Sequence, residues 1–292
     1  MTVGLYGEKI TAESAAFLKT FLKMLAEKHI DFQIHERFYN ALQDHLKPAE
    51  KVGVFAGRET LSDLDLLFNF GGDGTILRAA TLVYNTGIPL AGVNMGRLGF
   101  LASYKSDELL DHLDAIAKGE YQVSERALLS VSLDKRPERL PIHFALNEVT
   151  VSRKASSSMI SIRTRLNEEF LNTYWADGLI VSTPTGSTAY SLSCGGPILM
   201  PQNDNIALTP IAPHNLNVRP VILSDESEIK LQVTSREREF LVTLDSSWVL
   251  LDTATELTIK KAPCKVKIIY PRDCSFLNTL RNKLHWGADL RN

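Results

Sequence analysis

The sequence predicts two domains: an α/β domain built on a parallel sheet, then a mostly-β, sandwich-like domain. Three observations carry this expectation. Up to about residue 120, short apolar runs alternate with helical patterns, the order of strand-helix-strand units. One run, Leu66–Phe70, is apolar almost throughout, as suits a parallel strand covered on both faces, and it ends abruptly in Gly71-Gly72-Asp73-Gly74-Thr75. Beyond residue 120 the period changes to two, the alternation of half-buried strands.

Residues 2–6 form an apolar strand ending at Gly7. Thr11 caps a helix running to about Lys28, with Ala15, Leu18, Leu22 and Leu25 as its stripe and Phe17, Phe21 and Met24 alongside. Residues 32–35 alternate as a strand, a second helix covers 37–45 and stops before Pro48, and 52–55 read as a short edge strand. After the central strand and its glycine turn come a helix over 75–84 and a strand over 89–94. Ser106 caps a further helix carrying Leu109, Leu110, Leu113 and Ile116, closed by Lys118-Gly119. This is the alternation of a Rossmann-like sheet, where ligands sit beyond the carboxyl ends of the strands. Asp73 and the segment 94–100 both fall there.

In the second part, residues 121–134, 143–153, 160–166 and 169–175 read as strands, with Asn167-Glu168 as a hairpin turn. Shorter strands follow at 178–181, 229–234, 240–244, 248–251, 256–259 and 266–270. Residues 275–286 are helical, with Phe276, Leu280 and Leu284 on one side. The expected division is 1–120, 121–270 and a tail, 271–292, folding back on the first domain.

Composition narrows the function. The chain has 292 residues, 44% hydrophobic and 23% charged, with a net charge of −2. No basic field suggests nucleic acid or a membrane surface. No apolar run reaches spanning length, and the N-terminus lacks the basic and apolar regions of a signal peptide. Three cysteines, Cys194, Cys264 and Cys274, have no metal spacing and read as reduced thiols of a cytoplasmic protein.

The chemistry centres on the glycine turn. Gly71, Gly72 and Gly74 let a ligand approach the backbone, and the helix that follows offers unpaired N–H groups and a positive dipole end. Together these make a phosphate site. A carboxylate repels phosphate, so Asp73 makes sense as the base that takes a proton from a hydroxyl attacking phosphorus. Thr75 adds a hydroxyl. Arg78, one turn on, reads either as a phosphate contact or as an exposed helix cation. The plainer alternative is a turn in which Asp73 or Thr75 only caps its helix. No Gly-Lys-Ser/Thr follows, so this is not a Walker loop, and it is not the dinucleotide fingerprint G-x-G-x-x-G. A second dense stretch, residues 177–197, runs from a strand into a loop of Gly, Ser, Thr and Pro. Its hydroxyls and N–H groups suit ribose and phosphate oxygens, and Tyr190 offers a flat face and a hydroxyl. A helix-capping Ser/Thr loop is the alternative. Asn147-Glu148, taken alone, reads as two polar residues on the exposed face of a strand.

Gly71 to Thr75 resembles the signature shared by NAD kinases, diacylglycerol and sphingosine kinases and, more distantly, phosphofructokinases. That resemblance points to a superfamily and leaves the substrate open. The rest of the chain is similar to the NAD kinases at residues 96–100, Asn147-Glu148, Asp177-Gly178, residues 183–193 and residues 209–214. The resemblance implies Asp73 as the base, with dinucleotide contacts from Gly74, Arg78, Phe100, Asn147, Glu148, Asp177, Thr188, Ala189, Tyr190, Ser191, Leu192 and Ser193. Two places depart from the commoner pattern: Trp175 stands where a basic residue is frequent, and Asp245-Ser246 where Asp-Gly is frequent. The implied activity is phosphorylation of NAD at its adenosine ribose 2′-hydroxyl by ATP, in a homodimer or homotetramer. A divalent cation, Mg²⁺, is implied as riding on the donor phosphates, with no protein ligand named. The rivals are a lipid or sugar kinase of the same superfamily and a non-catalytic NAD(P)-binding sensor.

Overall fold

The computed structural model describes residues 1–46, 52–61, 63–96, 99–135, 140, 142–154 and 158–285. Its elements begin with β1 (Thr2–Gly7), α1 (Ala12–Glu27), β2 (Asp31–His35), α2 (Glu36–Gln43), β3 (Gly53–Phe55), β4 (Leu66–Phe70), α3 (Asp73–Val83), β5 (Leu90–Asn94), β6 (Tyr104–Lys105) and α4 (Ser106–Ala117). Then follow β7 (Gln122–Leu133), β8 (Phe144–Ala145), β9 (Glu148–Arg153), β10 (Ile160–Leu166), β11 (Glu169–Ala176), β12 (Gly178–Ser182) and α5 (Tyr190–Ser193). The last are β13 (Asn205–Ile211), β14 (Val221–Ser224), β15 (Ile229–Thr234), β16 (Glu239–Leu244), β17 (Ser247–Asp252), β18 (Glu256–Tyr270) and α6 (Phe276–Leu284). The chain forms two units. One holds Met1–Glu125 and the chain from Val266; the other holds Arg126–Lys265.

The first unit is a parallel sheet of order β3-β2-β1-β4-β5, in register Val3↔Leu66 and Leu67↔Leu90. The chain builds outward from β1 to β3, then returns to lay β4 and β5 on the other side. The strand order therefore reverses between β1 and β4, and open sheets of this kind leave a crevice there, beyond the carboxyl ends. Glu8 directly follows β1, and Gly71 directly follows β4. All five residues of β4 are buried. Its end is fixed by aromatic packing: the Phe70 ring stacks on Phe38 at 5.6 Å and meets Phe21 edge-on at 5.2 Å. Thr11 caps α1 through a reciprocal box with Ser14. The stripe of α1 is rotated from expectation, with Phe21 fully buried and Leu22 only half-buried. α3 starts two residues earlier than its apolar pattern suggests, because Gly74 is taken into its first turn. Lys105, not Ser106, is the residue before α4, and it makes no side-chain cap.

The second unit has two antiparallel sheets. One runs β11-β10-β15-β18, with β7 beside β18; the other runs β14-β13-β12-β9-β16-β17. Inward residues of both, among them Ile162, Leu231 and Leu257 on one and Val151, Val181 and Phe240 on the other, form one core, the arrangement of a sandwich. The Asn167-Glu168 hairpin has both residues at positive φ, 49° and 68°, as a two-residue primed turn requires. Two strands absent from the sequence expectation, β13 and β14, extend the second sheet; the Thr209-Pro210 pair hides β13, although Pro210 sits opposite Leu179 in the ladder. The strands expected at 256–259 and 266–270 are one strand, β18, which passes through an exposed Pro263. In α6 only Leu280 of the expected apolar side is buried, and residue 286 lies outside the described residues.

Phe70 thus joins the core to the turn. Phe70→Ala is expected to cost about 3–5 kcal/mol of stability. Urea unfolding measures it, and a loss under about 1 kcal/mol contradicts the role of the aromatic cluster.

Candidate active site

At the end of β4, the Gly71 N–H continues the ladder to Val93 O (2.9 Å), and Gly72 precedes α3 without capping it by a side chain. Asp73 is the first residue of α3, and neither Asp73 nor Thr75 caps the helix, so the capping alternative does not describe this turn. Instead the Asp73 carboxylate faces the segment beyond β5. Its Oδ2 accepts the Phe100 N–H (2.7 Å), and its Oδ1 accepts those of Leu101 (3.1 Å) and Ala102 (3.4 Å). Gly99 is required for this approach, since a Cβ there would lie 1.7 Å from Asp73 Oδ1. A carboxylate offers about four lone-pair positions, and the three amides leave one, on Oδ2. At Gly72 and Gly74 an added Cβ would meet nothing within 4 Å, so packing does not demand glycine there and the space beside the helix start is open. The Thr75 N–H is spent on Gly72 O (3.0 Å), as the Gly71 N–H is on Val93 O; these two amides are not free for phosphate, contrary to the sequence expectation. Asn94 closes a turn on Gly96 with both amide atoms, each at 3.0 Å; Arg97 and Leu98 of the expected motif lie outside the described residues.

Arg78 is not a plain exposed cation. Its Nε and Nη2 form a two-pronged pair with the Glu8 carboxylate, and the Tyr6 hydroxyl donates to the same carboxylate (3.2 Å). Burial first, and the Glu8 charge second, push the Tyr6 phenol up to about 12, so it remains a donor. The pair ties the end of β1 to α3, across the reversal of the sheet.

In the second unit, Asn147 is 7% exposed, so the exposed-strand reading of Asn147-Glu148 fails. The N–H groups of Leu146, Asn147 and Glu148 all donate to the Asp245 carboxylate, at 2.7, 2.8 and 3.1 Å. On the other side, Asn147 O accepts the Thr183 N–H (2.9 Å), Leu146 O accepts the Thr183 hydroxyl (2.6 Å), and a Cβ on Gly186 would lie 2.1 Å from Asn147 O. The 177–197 loop is thereby laid on Asn147-Glu148. Burial, then the Asp245 charge, push the Glu148 carboxyl up to about 8, against a hydrogen bond from the Tyr190 backbone. Burial pushes Asp245 up to about 6, against its three amides.

Residues 8–121 match the family model described as the ATP-NAD kinase N-terminal domain, and residues 146–270 match that of the ATP-NAD kinase C-terminal domain. The chain belongs to the NAD kinase family. A curated relative named NAD kinase, from Flavobacterium psychrophilum, is 45% identical over 294 residues covering all of both chains. The fold is similar to that of yeast NADH kinase complexed with NADH, with TM-score 0.89 and 24% identity over 100% of this chain and 89% of that one. It is similar also to an NAD kinase from Archaeoglobus fulgidus in complex with ATP, with TM-score 0.76 and 24% identity over 98% and 99%.

Within this NAD kinase-family chain, the sequence-predicted residues fall into two groups. Gly71 to Thr75, Phe100 and Arg78 gather in the first unit, and Asn147, Glu148 and the Thr188–Ser193 run in the second. Tyr190 is 45% exposed, Ser193 exposed, and Thr188, Ala189 and Leu192 half-buried. The Ser191 hydroxyl is fully buried against Thr209 Oγ1 (2.8 Å), where it holds the turn and does not face outward. Asp177 is paired with Arg153 (2.7 Å). Glu8 escaped the sequence reading, and Thr183 and Asp245 entered it without the bonding roles the fold gives them. A Gly-Glu at a strand end and an Asp-Ser between two alternating runs were the available signals, and neither says what it meets.

The raised carboxyls set a pH dependence. Glu148 and Asp245 move up from ordinary values of 4.5 and 3.8, so the folded chain holds more protons than the unfolded one above about pH 4. Their contribution is complete below that and is lost as pH rises through about 6 for Asp245 and about 8 for Glu148. Glu148→Gln is expected to remove a decline of roughly 2 kcal/mol between pH 6 and 8. Urea unfolding of both chains across that range tests this, and parallel curves refute it.

Proposed function

We propose that this chain transfers the γ-phosphoryl group of ATP to the 2′-hydroxyl of the adenosine ribose of NAD, giving NADP and ADP. The observation that carries the reading is the Asp73 carboxylate, held by three amides at the reversal of the sheet with one Oδ2 lone pair left beside an open helix start. The ribose hydroxyl donates to Oδ2. As its oxygen bonds to the γ-phosphorus, the proton passes to Asp73 and the bond to the ADP oxygen breaks. Gly72 and Gly74 offer backbone N–H groups to the transferred charge, Thr75 its hydroxyl, and Gly71 makes room for the Thr75 side chain. Arg78, held by Glu8, and Phe100, held by Asp73, take positions beside the substrates.

Asn147, Glu148, Asp177, Thr188, Ala189, Tyr190, Leu192 and Ser193 are assigned to the dinucleotide, and Ser191 to holding their turn. Mg²⁺ belongs to this reading as part of the donor complex, where it neutralises phosphate charge. Among the described residues no group of three His, Cys, Asp or Glu stands together to hold an ion. None of the described helices is long and apolar enough to cross a membrane. The reading expects a cytoplasmic homodimer or homotetramer.

Purified protein with NAD, ATP and Mg²⁺ is expected to yield NADP, read by a coupled dehydrogenase. 2′-Deoxy-NAD is expected to bind and to gain no phosphate by mass spectrometry; phosphate on that analogue removes the assigned nucleophile.

Asp73→Asn is expected to lower turnover about 10²–10⁴-fold with NAD affinity kept. It also sets an N–H donor against the 100–102 amides, which costs on the order of 1–3 kcal/mol in stability. Turnover within about threefold of wild type, in folded protein, excludes Asp73 as the base.

A further inference from the structure

The Leu146–Glu148 segment is held with unusual completeness for a stretch just ahead of a strand. Three successive amides end on one carboxylate, Asp245, nearly a hundred residues away in sequence. The Asp245 N–H returns a bond to Glu148 O (3.1 Å). Asp245 occupies the tight turn between β16 and β17 at φ 51°, a left-handed position that Asp tolerates better than most residues. The opposite side of the segment is closed by Thr183 and by the close pass of Gly186.

Two side-chain oxygens of the same segment are left without partners. Asn147 Oδ1 and Glu148 Oε2 are buried, and neither has a hydrogen-bond partner among the described residues. A buried acceptor without a donor is unfavourable, and it persists only where the backbone around it cannot move to relieve it. Asp245 supplies that restraint. Below about pH 8 the Glu148 carboxyl holds its proton, so the pair sets one acceptor, Asn147 Oδ1, beside a carboxyl that can donate as well as accept, and the hydroxyl groups that a ribose carries suit both.

We infer that Asp245 is a positioning residue for the dinucleotide: by taking the amides of Leu146, Asn147 and Glu148 it fixes where the Asn147 and Glu148 side chains meet NAD. This rests on the assignment of those two residues as NAD contacts. Asp245 acts through them and does not itself touch the substrate. The charged and titratable groups around the Glu148 carboxyl are Asp245 on the β16–β17 turn, Tyr190 and Cys194 on the α5 turn, and, toward Tyr190, Asp177 with its partner Arg153. The Asp245 charge is the only one of these that raises Glu148, so its removal lowers the pH at which Glu148 loses its proton.

The test compares Asp245→Asn, Asn147→Ala and Glu148→Gln with the wild type in the full chain, measuring KM for NAD and for ATP, kcat, thermal midpoint, and NAD affinity from pH 6 to 9.5. Asp245→Asn keeps size and loses the charge and one acceptor. It is expected to raise KM for NAD about tenfold or more while KM for ATP stays within about twofold. The inflection in NAD affinity near pH 8 is expected to move down in Asp245→Asn and to vanish in Glu148→Gln. If Asp245→Asn does not fold, Asp245→Ser is read by the same measures. A lowered thermal midpoint with unchanged KM for NAD and unchanged inflection overturns the inference and leaves Asp245 a structural residue. If Asn147→Ala and Glu148→Gln themselves leave KM for NAD unchanged, the assignment of the NAD contacts fails, and the inference with it.

Discussion

A carboxylate that accepts three consecutive backbone amides is the interaction on which the site depends, and the chain uses it twice. Asp73 takes the amides of residues 100–102, and Asp245 those of residues 146–148. Irregular backbone has no ladder to satisfy its N–H groups, so each must find another acceptor. One carboxylate can satisfy three at once, and bonds to a charged acceptor are the stronger kind. A loop held this way is ordered when the chain folds, so little of that ordering cost falls on substrate binding.

The topology explains why the first of these carboxylates stands at the crevice of the sheet. The reversal of strand order between β1 and β4 leaves their carboxyl ends without a continuous connection above them. Glu8 and Arg78 occupy the two sides of that gap and pair across it. A guanidinium held by two prongs keeps one orientation and remains charged. Phe70, packed by four other rings, sets the height at which the glycine turn leaves the sheet.

What was legible in the sequence was what is local. The Leu66–Phe70 run with its glycine turn, the Thr11 cap of α1 and the Asn167-Glu168 hairpin each declare themselves within a few residues. The anchors were not legible, because their partners are remote: Glu8 lies 70 residues from Arg78, and Asp245 lies 98 from Asn147. Asn147 looks like a strand-face polar residue until the Thr183–Gly186 turn is folded onto it. Ser191 looks like a ligand hydroxyl until Thr209, from a strand hidden by its own proline, takes it up. In each case the residue type was read correctly and its direction was decided by a chain segment far along the sequence.

The two groups of residues differ in what they leave unsatisfied, and on the proposed reading that difference separates chemistry from choice of substrate. Around Asp73 and Arg78 the charged groups are already paired, so the fold itself sets their positions. At Asn147 and Glu148 two buried oxygens have no hydrogen-bond partner among the described residues. A site with such groups discriminates sharply, because an analogue lacking the matching polar groups leaves them unpaired. An acyl chain has no polar groups to meet Asn147 Oδ1 and Glu148 Oε2, whereas a ribose does. On the proposed reading, preference for a dinucleotide over an apolar alcohol follows from the fixed polar groups of Asn147 and Glu148, while the transfer depends on a carboxylate that three amides hold in place.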